Sequence, residues 1–193
     1  MQLSIAYLLH SAVWFVFVFW FFRYLTEGRG FTVLASGVWG SLPAMAGVVL
    51  APLIGMGADR LGQRIGSARA RRRVAVGCLL TAAASVAAGA TLPGAYMAIA
   101  ALSLSSGCLN GAEAPFFTTA TAIGADNPGS AAGFLNLFGN LGGVLSIWLV
   151  PHMSEAWGWN GTLAFWSGVC LVAAILVLTV PAGNGPVADP PIG

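Results

Sequence analysis

Gly55-Met56-Gly57-Ala58-Asp59-Arg60-Leu61-Gly62-Gln63-Arg64-Ile65-Gly66, continued by Ser67-Ala68-Arg69-Ala70-Arg71-Arg72-Arg73, holds six of the eight basic residues of the chain. Long apolar runs flank it on both sides. Positive charge beside a membrane span stays on the cytoplasmic side. This one stretch therefore sets the orientation of every other segment. Its spacing, G-x-x-x-D-R-x-G-x-R, is a second signal. An aspartate at the C-terminal end of a helix meets the negative end of the macrodipole, so Asp59 is expected to be held by nearby arginines, with Arg64 in reach beyond a glycine turn.

Composition agrees with a membrane protein. The chain is 58% hydrophobic and 7% charged, where a soluble domain carries roughly a quarter charged residues. All eight basic residues are arginine, and the net charge of +2 is concentrated in one short segment. That excludes a nucleic-acid surface. The three cysteines, Cys78, Cys108 and Cys170, fall inside apolar runs and read as packing residues. The first apolar run lacks a basic leader and is too long for a signal-peptide core, so it is expected to remain as a span.

Six spans are expected, at 3–25, 33–57, 73–91, 95–123, 130–151 and 161–180, each near the length that crosses a bilayer. Together they make an all-α membrane domain over 1–181. The Pro- and Gly-rich tail at 182–193 is expected to be disordered. Leu92-Pro93-Gly94 and Gly124–Gly129 are turns. Counting outward from the arginines, both termini are cytoplasmic, and the turns near Glu27, Pro93 and 155–160 lie outside. Arg29 is the one arginine that this arrangement leaves in an outer turn. Pro43 and Pro52 are expected to interrupt the second span, and Trp157 and Trp159 to anchor at the interface. Gly107 with Gly111, and Gly139 with Gly143, are G-x-x-x-G pairs that let helices approach closely.

The chemistry-bearing residues are few. Asn136 and Asn140 are four apart and share a helical face. Unpartnered buried amides are costly, so that face must meet a cavity, a helix or a ligand, and both residues are candidate substrate contacts. Tyr7, His10 and Trp14 share a face of the first span; Tyr7 and Trp14 are further candidate substrate contacts. Glu113 is an ionisable group in a span, where a charge costs roughly 2.5–3.5 kcal/mol. Glu113 and His10 are candidate proton carriers. His10 and His152 offer no metal spacing. No nucleophile elbow, phosphate loop or carboxylate pair is present, so no enzyme, metal or cofactor is expected.

The stretch at Gly55 resembles the loop motif of the major facilitator superfamily, with Gly55, Asp59, Arg60, Gly62 and Arg64 at matching positions and Met56-Gly57 departing. In that family the motif follows the second helix of each six-helix half and gates one conformation. Trp20-Phe21-Phe22-Arg23-Tyr24-Leu25-Thr26-Glu27-Gly28-Arg29-Gly30 resembles the opening of the C-terminal half in the anion:cation symporter branch. Glu113–Thr121 is similar to that branch's tenth helix, Ala132–Gly143 to its eleventh, and Gly158-Trp159-Asn160 to the turn before its twelfth. Phe22 stands where the branch often has proline, and Ser11-Ala12 where it often has Asn-Tyr.

The resemblance implies the C-terminal half of a twelve-helix secondary transporter for an organic anion, such as a sugar acid, coupled to protons. The Gly-, Ala- and Arg-rich composition has a bacterial character, and the expected location is the inner membrane. The expected partners are the bilayer, the anion, the proton, and an N-terminal half or a second copy. The alternative is a non-transporting membrane subunit or a truncated relic.

Overall fold

The computed structural model describes residues 1–180; the expected disordered tail lies outside the described residues. Within them every regular element is helical. The bilayer core offers backbone groups no water, so each must find its partner inside its own helix. α1 spans Gln2–Phe19, and a short α2, Phe21–Arg23, runs into a π-helical turn at Tyr24–Gly28. α3 is Val33–Gly40, α4 Leu42–Ile65, α5 Ser67–Thr91, α6 Ala95–Ile123 and α7 Pro128–Thr179.

Four helical stretches among the described residues are long and apolar enough to cross a membrane: Gln2–Phe19, Val33–Ile65, Ser67–Thr91 and Pro128–Thr179. α6 has the length, 29 residues, but carries Asn110, Glu113 and several serines and threonines. α7 has 52 residues and a non-helical Gly158 at φ 67°. At about 1.5 Å per residue its two arms, 128–157 and 159–179, each exceed the roughly 30 Å hydrocarbon core. Only glycine takes that φ without strain. Beyond it Trp159 packs on Tyr24, and the Ser167 hydroxyl donates to the Ala83 carbonyl at 2.8 Å.

Helix boundaries differ from the sequence expectation in four places. The arginine-rich stretch expected as a loop is helical on both sides of Gly66, because arginine is a good helix former. Gly66 alone departs, at φ 88°, and joins α4 to α5. The second span breaks at Ser41 rather than at its prolines. Pro43 lies in the first turn of α4, where no backbone hydrogen bond is lost, and Pro52 is carried within the helix. The first span changes character at Trp20 and continues as the π-turn past Leu25. The fifth span continues through Pro151 until Gly158.

Small residues set the packing. α1 lies against the first arm of α7. A Cβ placed on Gly139 would sit 2.6 Å from the Tyr7 ring, and one on Gly143 2.7 Å from the Phe15 ring. One on Gly142 would strike the Leu8 carbonyl oxygen and come within 2.9 Å of the Ala12 amide nitrogen. α6 uses Gly107 and Gly111 in the same way against Leu50 and Ile54 of α4. The core between these seams is formed by Val13, Leu79, Val86, Leu102, Leu109, Phe116 and their neighbours.

Arg29, the exception to the charge pattern, is tied down. Its Nε donates to the Tyr24 hydroxyl at 2.6 Å. Its two terminal nitrogens donate to the carbonyls of Leu92 and Gly89, at 3.0 and 2.8 Å. Those carbonyls end α5, where the helix dipole is negative and favours a cation. The guanidinium also lies 5.6 Å from the centre of the Tyr24 ring.

Gly142→Ala is expected to lower stability by about 1–3 kcal/mol through overpacking against the α1 backbone. Gly133→Ala, which meets open space, should be neutral; thermal unfolding in detergent compares the two. Arg29→Ala is expected to cost about 1–3 kcal/mol in the same assay, because two part-buried carbonyls and a hydroxyl lose a charged donor.

Candidate functional site

The polar side chains within the helices fall into two kinds. Most bond to their own helix: Asn110 Nδ2 donates to the Ser106 carbonyl, Thr118 Oγ1 to Ala114 and Thr119 Oγ1 to Pro115. A cluster between α1 and α6 is among the few that cross between helices. The Tyr7 hydroxyl of α1 donates to Glu113 Oε2 of α6 at 2.8 Å. His10, one turn further along α1, is fully buried; its Nε2 lies 3.0 Å from the Leu109 carbonyl oxygen, and its Nδ1 lies 3.9 Å from Glu113 Oε1. The Tyr7 and His10 rings stack at 5.5 Å, and Phe116 closes on both, at 5.2 and 5.1 Å.

The antiparallel crossing of α1 and α6 produces this arrangement. Residues 7 and 10 of α1 meet residues 113 and 109 of α6, and Pro115 follows directly. A proline removes one backbone hydrogen bond from its helix, and the threonine hydroxyls at 118 and 119 bond into the carbonyls beside it. Glu113 keeps 34% of its side chain exposed while His10 keeps none. The cluster thus has one open side, at the carboxylate. Two candidate proton carriers and one candidate substrate contact from the sequence meet here.

Trp14 does not join them. It lines a separate cleft of about 450 Å³ with Pro43, Gly47, Ser106 and Asn110. Gly47 makes room there, since a Cβ on it would stand 2.8 Å from the Asn110 amide nitrogen. Asn136 and Asn140 are exposed on the first arm of α7, beside the glycine face that packs on α1. Asn140 Nδ2 donates to the Asn136 carbonyl at 2.8 Å.

At the end of the bundle where α4 meets α5, Gly55, Asp59 and Gly62 line a cleft of about 530 Å³ with Ser67, Arg71, Pro115 and Thr118. Asp59 was expected to be held by Arg64. Among the described residues Asp59 has no ion pair within 4 Å. Both Asp59 and Arg64 are exposed, so their charges are solvated. The cation that shares the cleft is Arg71, whose Nε is buried and, among the described residues, without a partner. Arg71 went unnoticed in the sequence because it is one of four arginines between 69 and 73.

A helical bundle seamed by glycines, with this charged G-x-x-x-D-R-x-G-x-R segment between α4 and α5, agrees with the sequence comparison. The Major Facilitator Superfamily profile matches residues 3–191. The chain belongs to the major facilitator superfamily. Its relatives in the superfamily include the probable galactarate/D-glucarate transporter GudP of Escherichia coli (strain K12), 27% identical over 90% of this chain and 39% of that protein. The D-galactonate transporter of Escherichia coli O6:H1 is 28% identical over 86% of this chain and 38% of its own length. The probable galactarate/D-glucarate transporter GudP of Bacillus subtilis (strain 168) is 26% identical over 84% and 36%. The chain spans less than two-fifths of the length of these relatives. With its apolar helices, this superfamily member is a multi-pass protein of the bacterial inner membrane.

The exposed amide face of α7 has a direct test. Asn136→Cys and Asn140→Cys are expected to react with a hydrophilic, membrane-impermeant maleimide, and the fully buried Ser146→Cys to stay protected. Unreactive thiols at both asparagine positions would place that face in lipid.

Proposed function

We propose that the chain forms the C-terminal six-helix half of a secondary transporter for an organic anion of the sugar-acid class, coupled to protons. In this reading it crosses the membrane six times: once through α1 to the π-turn, once through α3 and α4, once each through α5 and α6, and twice through the arms of α7. Both termini and the Arg60–Arg73 segment are cytoplasmic, by the concentration of arginine there. Transport of this kind places the substrate near the midplane, between two halves that rock against each other. Six helices supply one wall. The other wall comes from an N-terminal half, in the same or a separate polypeptide, or from a second copy.

The observation that carries this reading is the cross-helix cluster of Tyr7, His10 and Glu113, open at the carboxylate. Ionisable groups inside a membrane domain are costly and mark ion and substrate paths. Glu113 and His10 hold the coupled proton. Tyr7, Trp14, Asn136 and Asn140 contact the substrate, whose hydroxyl and carboxylate oxygens suit uncharged amides and a phenol. Gly55, Asp59, Arg60, Gly62 and Arg64 form the gate, with Asp59 drawn to a cation when the cleft beside Pro115 closes. The named activities of the relatives, which cover galactarate, D-glucarate and D-galactonate, support the substrate class.

The test is uptake. The chain, alone and together with an N-terminal six-helix unit, is reconstituted in proteoliposomes with an inward proton gradient. Labelled galactarate, D-glucarate or D-galactonate is expected to accumulate only with both units present, and Glu113→Gln should reduce gradient-driven accumulation at least tenfold. Folded, inserted protein that moves none of the three in either arrangement would refute the proposal.

A further inference from the structure

Among the described residues, one ring nitrogen of His10 lacks a hydrogen-bond partner. Nε2 faces the Leu109 carbonyl oxygen at 3.0 Å. A carbonyl only accepts, so Nε2 carries the hydrogen. In the neutral ring Nδ1 is then a bare lone pair. It is buried and, among the described residues, has no hydrogen-bond partner. The group across from it is Glu113 Oε1, at 3.9 Å. Two lone pairs facing each other in a water-poor site repel, and a single proton between them turns the repulsion into attraction. Tyr7 does not supply that proton, because its hydroxyl is committed to the other carboxylate oxygen, Oε2.

We propose that His10 and Glu113 together form a binding site for one proton, entered from the exposed side of Glu113. The bound proton sits on Oε1 or on Nδ1, and the cluster passes from a charge of −1 to neutral with no other covalent bond made or broken. The 3.9 Å gap is too long for a hydrogen bond. Proton binding therefore draws the carboxyl and the imidazole to roughly 2.7–2.9 Å, the length of a charge-assisted bond, and tightens α1 on α6. It also removes a negative charge that would repel an anion.

From α7, Gly139 lies against the Tyr7 ring. α4 and α5 bring Asp59 and Arg71 to the cleft over Ala114, Pro115 and Thr118, and Cys78 and Cys108 face each other between α5 and α6. The site rests on the geometry of this pair; only its use in coupling rests on the transport reading.

The experiment is nitrogen-15 NMR of histidine-labelled full chain in lipid nanodiscs, as a function of pH. His152→Gln leaves His10 as the single histidine. Nε2 is expected to be protonated at every pH and Nδ1 to titrate. Glu113→Gln should weaken proton binding by at least about tenfold, one pH unit or more. Tyr7→Phe should change the titration, because the Glu113 carboxylate loses the hydroxyl bonded to it. Should Glu113→Gln fail to fold, Glu113→Asp together with Tyr7→Phe reads the same coupling. A His10 titration indifferent to these variants, or an Nε2 that loses its hydrogen, would overturn the proposal. Loss of sugar-acid uptake with the titration intact would count against the transport reading and leave the site standing.

Discussion

The structure depends on how closely α1 and the first arm of α7 approach. Between helices in lipid no hydrophobic force remains, and packing and hydrogen bonds must hold them together. The glycine face at 139, 142 and 143 lets the backbone of α1 settle where side chains would otherwise stand, with the Leu8 carbonyl and the Ala12 amide directly over Gly142. Contact at that distance fixes the rotation of α1 as well as its position. The rotation turns Tyr7 and His10 toward α6, so the polar cluster follows from the seam. Ser11 and Ala12 belong to the same seam, as both are buried and lie over the glycines. An Asn-Tyr pair at those positions would not fit.

Hydrogen bonding divides the same way. A serine, threonine or asparagine that bonds a carbonyl one turn back is satisfied wherever its helix goes, and adds nothing to tertiary specificity. The groups that cross between helices are few: Tyr7 to Glu113, His10 to Leu109, Ser167 to Ala83, and Arg29 with Tyr24 at the end of α5. Each fixes a register that apolar packing alone would leave free to slide. All four meet α5 or α6.

Much of this was legible in the sequence. The apolar runs, both G-x-x-x-G pairs and the charged segment between α4 and α5 are local patterns, and local patterns survive folding. The helical state of that segment was hidden, because charge and glycine content suggested a loop while arginine itself favours helix. Pro151 looked like a terminus, yet a helix within a bundle carries a proline until a residue such as Gly158 actually changes the backbone angles. The candidate site was legible only as separate residues. Tyr7 and Glu113 stand 106 positions apart, and no spacing rule reaches that far. Arg29 looked like a stray charge because two of its three partners, the Leu92 and Gly89 carbonyls, come from the fold. Asn136 and Asn140 were legible as one face, but what covers that face lies beyond any pattern in the helix.

The single-residue joint at Gly66 also bears on how the molecule sits in its bilayer. Because α5 is already helical from Ser67, Arg69, Arg72 and Arg73 fall on one side of its axis at about 100° per residue, while Arg71 turns to the cleft beside Asp59. That patch of charge tethers one side of the helix to anionic headgroups. The helix cannot sink past it without drawing guanidinium groups into hydrocarbon. The arginines thus mark a waterline on α5. With Gly66 as the only slack, that depth is handed on to α4.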